Sequence, residues 1–258
     1  MSTTAFTNTP DALRPLAVTL SALGSTQGLA DPLNVVDQSG WLHANDLLNG
    51  SRLPDLFEVA RRRWGAAPHA AATLAWKSYT YWLALPAVLS WAVARRIPHI
   101  EADNVLVRFS NRSPLIQIGL ASPAMVVLPD DPLAQSGLPG ISVAADEDVL
   151  LKTLRVGLLD RHLDPLSERI RAEVKVGRRT LLGSVASGIA YAVVRARNVL
   201  PEPAAPTVDT LLQALDLDDL VEVTPGPGSE PAVRRKTCCL AFTLPQPKIC
   251  SGCCLRSA

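Results

Sequence analysis

The stretch from Ala70 to Ala94 is the longest apolar run in the chain, and a segment of that length either crosses a membrane or lies at the centre of the fold. Lys77, Ser78, Thr80 and Pro86 interrupt it near its middle, whereas a membrane span needs roughly 20 residues with few or no polar interruptions. The sequence therefore predicts a buried helix from Ala70 to Arg96, kinked at Pro86, with Trp76, Tyr79, Trp82 and Trp91 along it as core residues. The chain has 258 residues, 48% of them hydrophobic and 19% charged, enough to bury one large domain or one domain with a small appendage.

Other elements arrange themselves around that helix. Leu56, Ala60 and Trp64 share one helical face, and Arg61, Arg62 and Arg63 spread over the solvated remainder. From Asn104 to Pro129 the pattern changes to β-branched runs, Val105 to Phe109, Leu115 to Leu120 and Met125 to Leu128, separated by turn residues, which predicts a small antiparallel meander. Helical sequence resumes from about Asp146 to Val176, with a break expected at Asp164-Pro165, and again from Arg179 to Arg197. That last helix carries a small-residue stretch, Gly183 to Gly188, read as a close helix contact ahead of the alternative, close approach of a ligand; no Lys-Ser or Lys-Thr follows it, so it is not a Walker-type phosphate loop. Past the Pro201 to Pro206 linker, Val208, Leu211, Leu212 and Leu215 recur at helical spacing with Thr207 as N-cap, and Thr224 to Pro231 reads as a second linker. The expected fold is α+β, predominantly helical with a small antiparallel sheet at about 104–129 and a cysteine-rich C-terminal tail. Three parts follow: a body over 1–200, a linker and acidic helix over 201–232, and the tail over 233–258.

Net charge is +1, without the basic excess that nucleic-acid binding requires. Met1 to Pro10 lacks the basic start and apolar run of a secretory signal, which makes cytoplasmic residence, with no transmembrane segment, the expectation. Charge is sharply divided near the end: Asn198 to Ala232 carries seven acidic residues and no Lys or Arg, and Val233 to Ala258 carries five basic residues and no Asp or Glu. His43, His69, His99 and His162 show no metal-site spacing and are read as ordinary residues.

All five cysteines, Cys238, Cys239, Cys250, Cys253 and Cys254, lie in the last 21 residues, so the body folds without thiols. In a reducing compartment such a group holds a metal or does redox chemistry. Cys250-Ser251-Gly252-Cys253 is a knuckle that turns both sulfurs toward one centre, and it suits zinc and iron–sulfur equally. The adjacent pair Cys238-Cys239 is awkward for closing on one tetrahedral ion, because neighbouring side chains diverge, whereas a two-iron cluster accepts ligands over a wider spread.

Cys238-Cys239, ten residues, Cys250, two residues, Cys253 resembles the C-terminal signature of the FhuF-like ferric-siderophore reductases, as do the Arg234-Arg235-Lys236-Thr237 lead-in and the Leu181 to Ser187 segment. The resemblance implies an oxidoreductase whose [2Fe–2S] cluster is held by Cys238, Cys239, Cys250 and Cys253, with Cys254 as an alternative ligand outside the family pattern. It implies one-electron reduction of a ferric siderophore, of hydroxamate type, to release Fe(II). No nucleotide-binding fingerprint is present, so a separate donor, a ferredoxin or a reductase, must supply the electron. Arg234, Arg235, Lys236, Lys248 and Arg256 are candidate cations for a negatively charged cluster. Tyr79, Trp82 and Trp41 with Arg108 or Arg112 are candidate pocket residues, each also readable as core or surface. Two other readings use the same cysteines: a non-catalytic zinc-binding module and an iron or redox sensor.

Overall fold

The computed structural model describes residues 10–24, 26–110, 113–226 and 230–256. It is about 50% helix and 15% strand in small sheets, an α+β architecture. In chain order it runs α1 (Arg14–Leu23), β1 (Leu29–Asn34), β2 (Leu42–His43), α2 (Asn45–Leu48), α3 (Leu53–Trp64), α4 (Pro68–Ala94), β3 (Ile97–Pro98) and β4 (Val105–Phe109). It continues with β5 (Ile116–Leu120), β6 (Met125–Val127), β7 (Ile141–Val143), α5 (Glu147–Arg155), α6 (Asp164–Glu173), α7 (Arg178–Ala196), α8 (Ala204–Ala214), β8 (Val221–Pro225) and β9 (Pro231–Arg235).

The apolar run forms α4, which passes through Pro86 and buries most of its length against α1, α3 and α7. Among the described residues no helix is long and apolar enough to cross a membrane. Trp76, fully buried, donates its indole N–H to the Leu181 carbonyl at 2.9 Å, tying α4 to the first turn of α7. Tyr79, also fully buried, donates its hydroxyl to His162 Nε2 at 2.5 Å, while His162 Nδ1 lies 2.7 Å from the Ile100 carbonyl. A carbonyl can only accept, so Nδ1 carries the ring proton and Nε2 receives the tyrosine's. His162 thus has a structural place that its sequence spacing does not announce.

The expected meander is present as β4 and β5 paired antiparallel, from Val105 opposite Leu120 to Phe109 opposite Ile116. The sheet is not purely antiparallel, however. Its order is β1-β5-β4-β2, with β1 parallel to β5, and β6 belongs to a second sheet, β3-β6-β7, where β7 runs parallel to it. β1 comes from distant sequence, and it contains Asp31 and Pro32, which suit an edge strand and disguise it as a turn.

Two helix boundaries also differ from expectation. Asp164-Pro165 does not break the helix: the chain runs directly from a π-helical stretch, Val156–Leu163, into α6, and that local widening stands where Pro165 offers no N–H to the preceding turn. Thr207 is not an N-cap; α8 starts at Ala204, and the Thr207 hydroxyl, inside the helix, donates back to the Pro203 carbonyl at 2.8 Å. Pro206 in that first turn is tolerated because the first N–H groups of a helix have no partner within it. Thr224 to Pro231, read as a linker, belongs at its ends to paired strands: β8 pairs antiparallel with β9, with Thr224 opposite Ala232 and Pro225 opposite Pro231. Val233, Cys239 and Leu244 join the same hydrophobic core as α4 and α7.

Candidate metal centre

The strand β9 carries the chain into the cysteines, and its alternation decides which side chains go inward. Val233, Arg235 and Thr237 are buried, while Arg234 and Lys236 are exposed. Thr237 fits because α7 has no side chain opposite it: a Cβ on Gly183 would lie 1.9 Å from the Thr237 hydroxyl. The knuckle docks beside the strand in the same way. Arg235 N–H donates to the Gly252 carbonyl at 2.9 Å, and a Cβ on Gly252 would lie 1.9 Å from the Val233 carbonyl oxygen.

Between the two cysteine groups the chain turns sharply. Leu240 has φ 61°, the left-handed conformation that a branched side chain adopts only at a cost. The turn directs the Leu240 N–H onto Cys238 Sγ at 3.3 Å, and Leu255 N–H similarly approaches Cys253 Sγ at 3.5 Å. Two of the five sulfurs thus accept a backbone amide from two residues further on. Thr73 of α4 reaches the Cys239 carbonyl at 3.1 Å, anchoring the turn to the central helix.

All five cysteines share one neighbourhood. Burial pushes the Cys250 thiol up from its ordinary range, with Cys239 and Cys253 adding to the shift and Lys77 and Arg235 opposing it. Burial also raises Cys254, which is hydrogen-bonded to Cys238 and Cys253. Cys239 and Cys253 are buried, and the other three are half-buried. Among the described residues the group of His, Cys, Asp or Glu whose ligand atoms gather in a trio within 4.8 Å is His99, Glu101 and Asp103, so no three of these sulfurs converge that tightly. His99 thus has acidic neighbours two and four residues further along the chain, a local spacing that the sequence reading passed over, and Glu101 is already paired with Arg161 at 3.0 Å.

Arg235 stands apart from the other basic residues of the tail. It is 1% exposed; Nη2 lies 3.3 Å from the Ser184 hydroxyl, and Nε and Nη1 have no partner. The buried Thr237 hydroxyl is also unpartnered. A buried guanidinium with two idle donors is costly unless an anion stands nearby. Lys248 is exposed on the rim of a cavity beside the cysteines, and Arg256 is exposed on the surface.

Of the aromatic and basic pocket candidates, only Trp82 lines a cavity beside the cysteines. Tyr79 is core, bonded to His162. Trp41 stacks under Arg108 at 4.5 Å in a separate cleft beside β1, and Arg112 lies outside the described residues. Lys77, Tyr81, Tyr191 and Arg195 also face the cysteine side and were missed. Their signal was the polar interruption of the apolar run: Lys77 and Tyr81 are one turn apart on α4. No family model matches this chain, and no curated protein matches it.

Proposed function

We propose that the chain is a cytoplasmic ferric-siderophore reductase in which Cys238, Cys239, Cys250 and Cys253 hold a [2Fe–2S] cluster. The observation that carries the reading is the buried Arg235 guanidinium, with two donors unpartnered, beside gathered cysteines. A [2Fe–2S] cluster on four thiolates supplies, when bound, a one-electron carrier of net negative charge. Such a group fits these residues: the charge answers Arg235, and its two irons ask for pairs of sulfurs rather than a tight trio. Zinc asks for the opposite, four ligands with Zn–S about 2.3 Å and hence sulfurs about 4 Å apart, which sulfurs with no trio inside 4.8 Å do not prepare. The Cys-Cys, ten residues, Cys, two residues, Cys spacing adds the resemblance to the FhuF-like reductases.

The chain's own residues have distinct tasks. The Leu240 and Leu255 amides would orient the Cys238 and Cys253 sulfurs as ligands. Burial of Cys239 and Cys253 keeps water off one side of the centre, and the half-buried Cys250 leaves the other side reachable. Cys254 lies against Cys238 and Cys253 and falls outside the family spacing, which supports the place of a neighbour rather than a ligand. Hydroxamate oxygens are hard ligands that suit Fe(III) far better than Fe(II). One electron, supplied by an external ferredoxin or reductase, converts the chelated Fe(III) to Fe(II) and loosens the complex without breaking the chelator.

Anaerobic purification, followed by iron and acid-labile sulfide analysis and visible and EPR spectra, tests the reading. A coloured protein with two irons and two sulfides per chain is the expected result. A colourless protein holding zinc would sink it. Cys250→Ser is expected to lose the colour and Cys254→Ser to keep it; equal loss in both overturns the ligand set. Oxidation of the reduced protein by a ferric hydroxamate, with a ferrous trap present, separates a reductase from a sensor.

A further inference from the structure

Two hollows, of about 630 and 340 Å³, open on either side of the same three residues: Lys77, Tyr81 and Cys250. The larger falls in the range of small-molecule sites, roughly 300–1,000 Å³. Its walls include the rings of Trp64, Tyr81 and Trp82, its floor includes Cys239 and Cys250, and Lys77 and Lys248 stand over it from α4 and from the tail. The smaller adds Arg195, which donates to the Tyr81 hydroxyl at 3.2 Å. Neither hollow is lined by an Asp or a Glu. Among the described residues no carboxylate pairs with Lys77 or Lys248. By contrast the cleft of about 1010 Å³ beside Trp41 has Asp31 and Asp37 in its wall and no cysteine.

We propose that the groove between α4 and the cysteine tail is the substrate site, and that Lys77 and Lys248 make it select ferric chelates of net negative charge. The inference rests on the reductase reading and narrows its substrate. Electron transfer falls steeply with distance, and an occupant of this groove touches Cys239 and Cys250 directly. The aromatic walls accept the flat faces of chelate rings whatever their charge. Unpaired lysines distinguish among them: a citrate-based hydroxamate chelate, with carboxylate oxygens to spare, gains charge-assisted hydrogen bonds that a neutral cyclic trihydroxamate cannot make. The substrate class is therefore an anionic mixed carboxylate–hydroxamate complex of Fe(III).

Gallium(III) complexes test the site without electron transfer, because gallium replaces ferric iron in these chelators and is not reduced. Calorimetric titration of the protein as purified, at low ionic strength, compares the gallium complex of a citrate-based dihydroxamate with that of a neutral cyclic trihydroxamate. The anionic complex is expected to bind about tenfold more tightly or better, and Lys77→Gln and Lys248→Gln each to weaken it about tenfold. Lys152→Gln, which removes the same charge from the exposed face of α5, is expected to change nothing. Equal affinity for the two complexes, no effect of the groove lysines, or an equal effect of Lys152→Gln overturns the proposal. EPR of each dithionite-reduced sample separates this failure from that of the wider reading. A two-iron signal without gallium-complex binding removes the site alone. Lysine-dependent binding by a protein without that signal supports an anion site and removes the reductase.

Discussion

Acidification should weaken this fold through one residue, His162. The imidazole is fully buried, and desolvation pulls its pKa down from 6.5 to about 4, against the raising effects of the Ile100 carbonyl and of Asp103. Only the neutral ring satisfies its surroundings, with Nε2 accepting from Tyr79 and Nδ1 donating to Ile100. The sign follows from which state binds the proton more readily. Below 6.5 the unfolded chain protonates its imidazole while the native chain does not, so stability is intact above that value and is lost as pH falls toward about 4. Linkage with these two values gives a loss of about 2 kcal/mol near pH 5 and about 3 kcal/mol near pH 4. Urea unfolding at a series of pH values measures it, with His162→Gln as the reference that cannot titrate but keeps a donor and an acceptor. The variant is less stable near neutrality, because it packs the site less well, yet its stability should fall less steeply between the two pKa values. Parallel pH profiles for the two proteins would refute the reasoning.

The remaining predictions concern the proposed metal centre and the helix contact that supports it. Arg235→Met removes the buried cation and is expected to lower the midpoint potential by about 60 mV or more, read by EPR-monitored titration, since a tenfold change for one electron is 59 mV; an unchanged potential would show that the guanidinium serves packing alone. Gly252→Ala places a methyl 1.9 Å from the Val233 carbonyl oxygen and is expected to displace the knuckle, with loss of iron on purification and several degrees of Tm; Ser251→Ala, at an exposed neighbouring position, should do neither. Trp76→Phe deletes the bond to the Leu181 carbonyl and should cost about 1–2 kcal/mol in urea unfolding, with the cysteine centre retained.

What the sequence revealed and hid follows from range. Local patterns were legible: the apolar run became α4, and the β-branched runs became β4, β5 and β6. The parallel partners β1 and β7 were hidden because nothing in their own residues records which strand they meet. The β8–β9 pairing was hidden because Pro225, Gly226 and Pro231 at its inner end are the same residue types that mark a linker. At the site, the cysteines were plain, but Arg235 was not separable from Arg234 and Lys236 as one of three consecutive cations. Period-two alternation held the answer, for Val233, Arg235 and Thr237 turn inward together once the segment is known to be a strand. Lys77 was visible only as a flaw in an apolar helix; with the tail folded over it, that flaw lies beside Cys250.

Close backbone approach links these features. Gly183 admits Thr237, Gly252 admits the Val233 carbonyl, and Gly188 lies where a Cβ would sit 3.3 Å from the Tyr81 Cα. The first two seat the strand and knuckle, and with them the cysteines and Arg235; the third sets the depth at which the Lys77–Tyr81 face of α4 meets α7. The small-residue stretch of α7 therefore does more than pack two helices. It fixes the separation between the face of α4 that lines the groove and the thiols at its floor, so a volume change on α7 reaches the cysteines through the strand and reaches the groove through α4. A stability measurement alone would merge those two effects; the midpoint potential reports the first and affinity for the gallium complex the second.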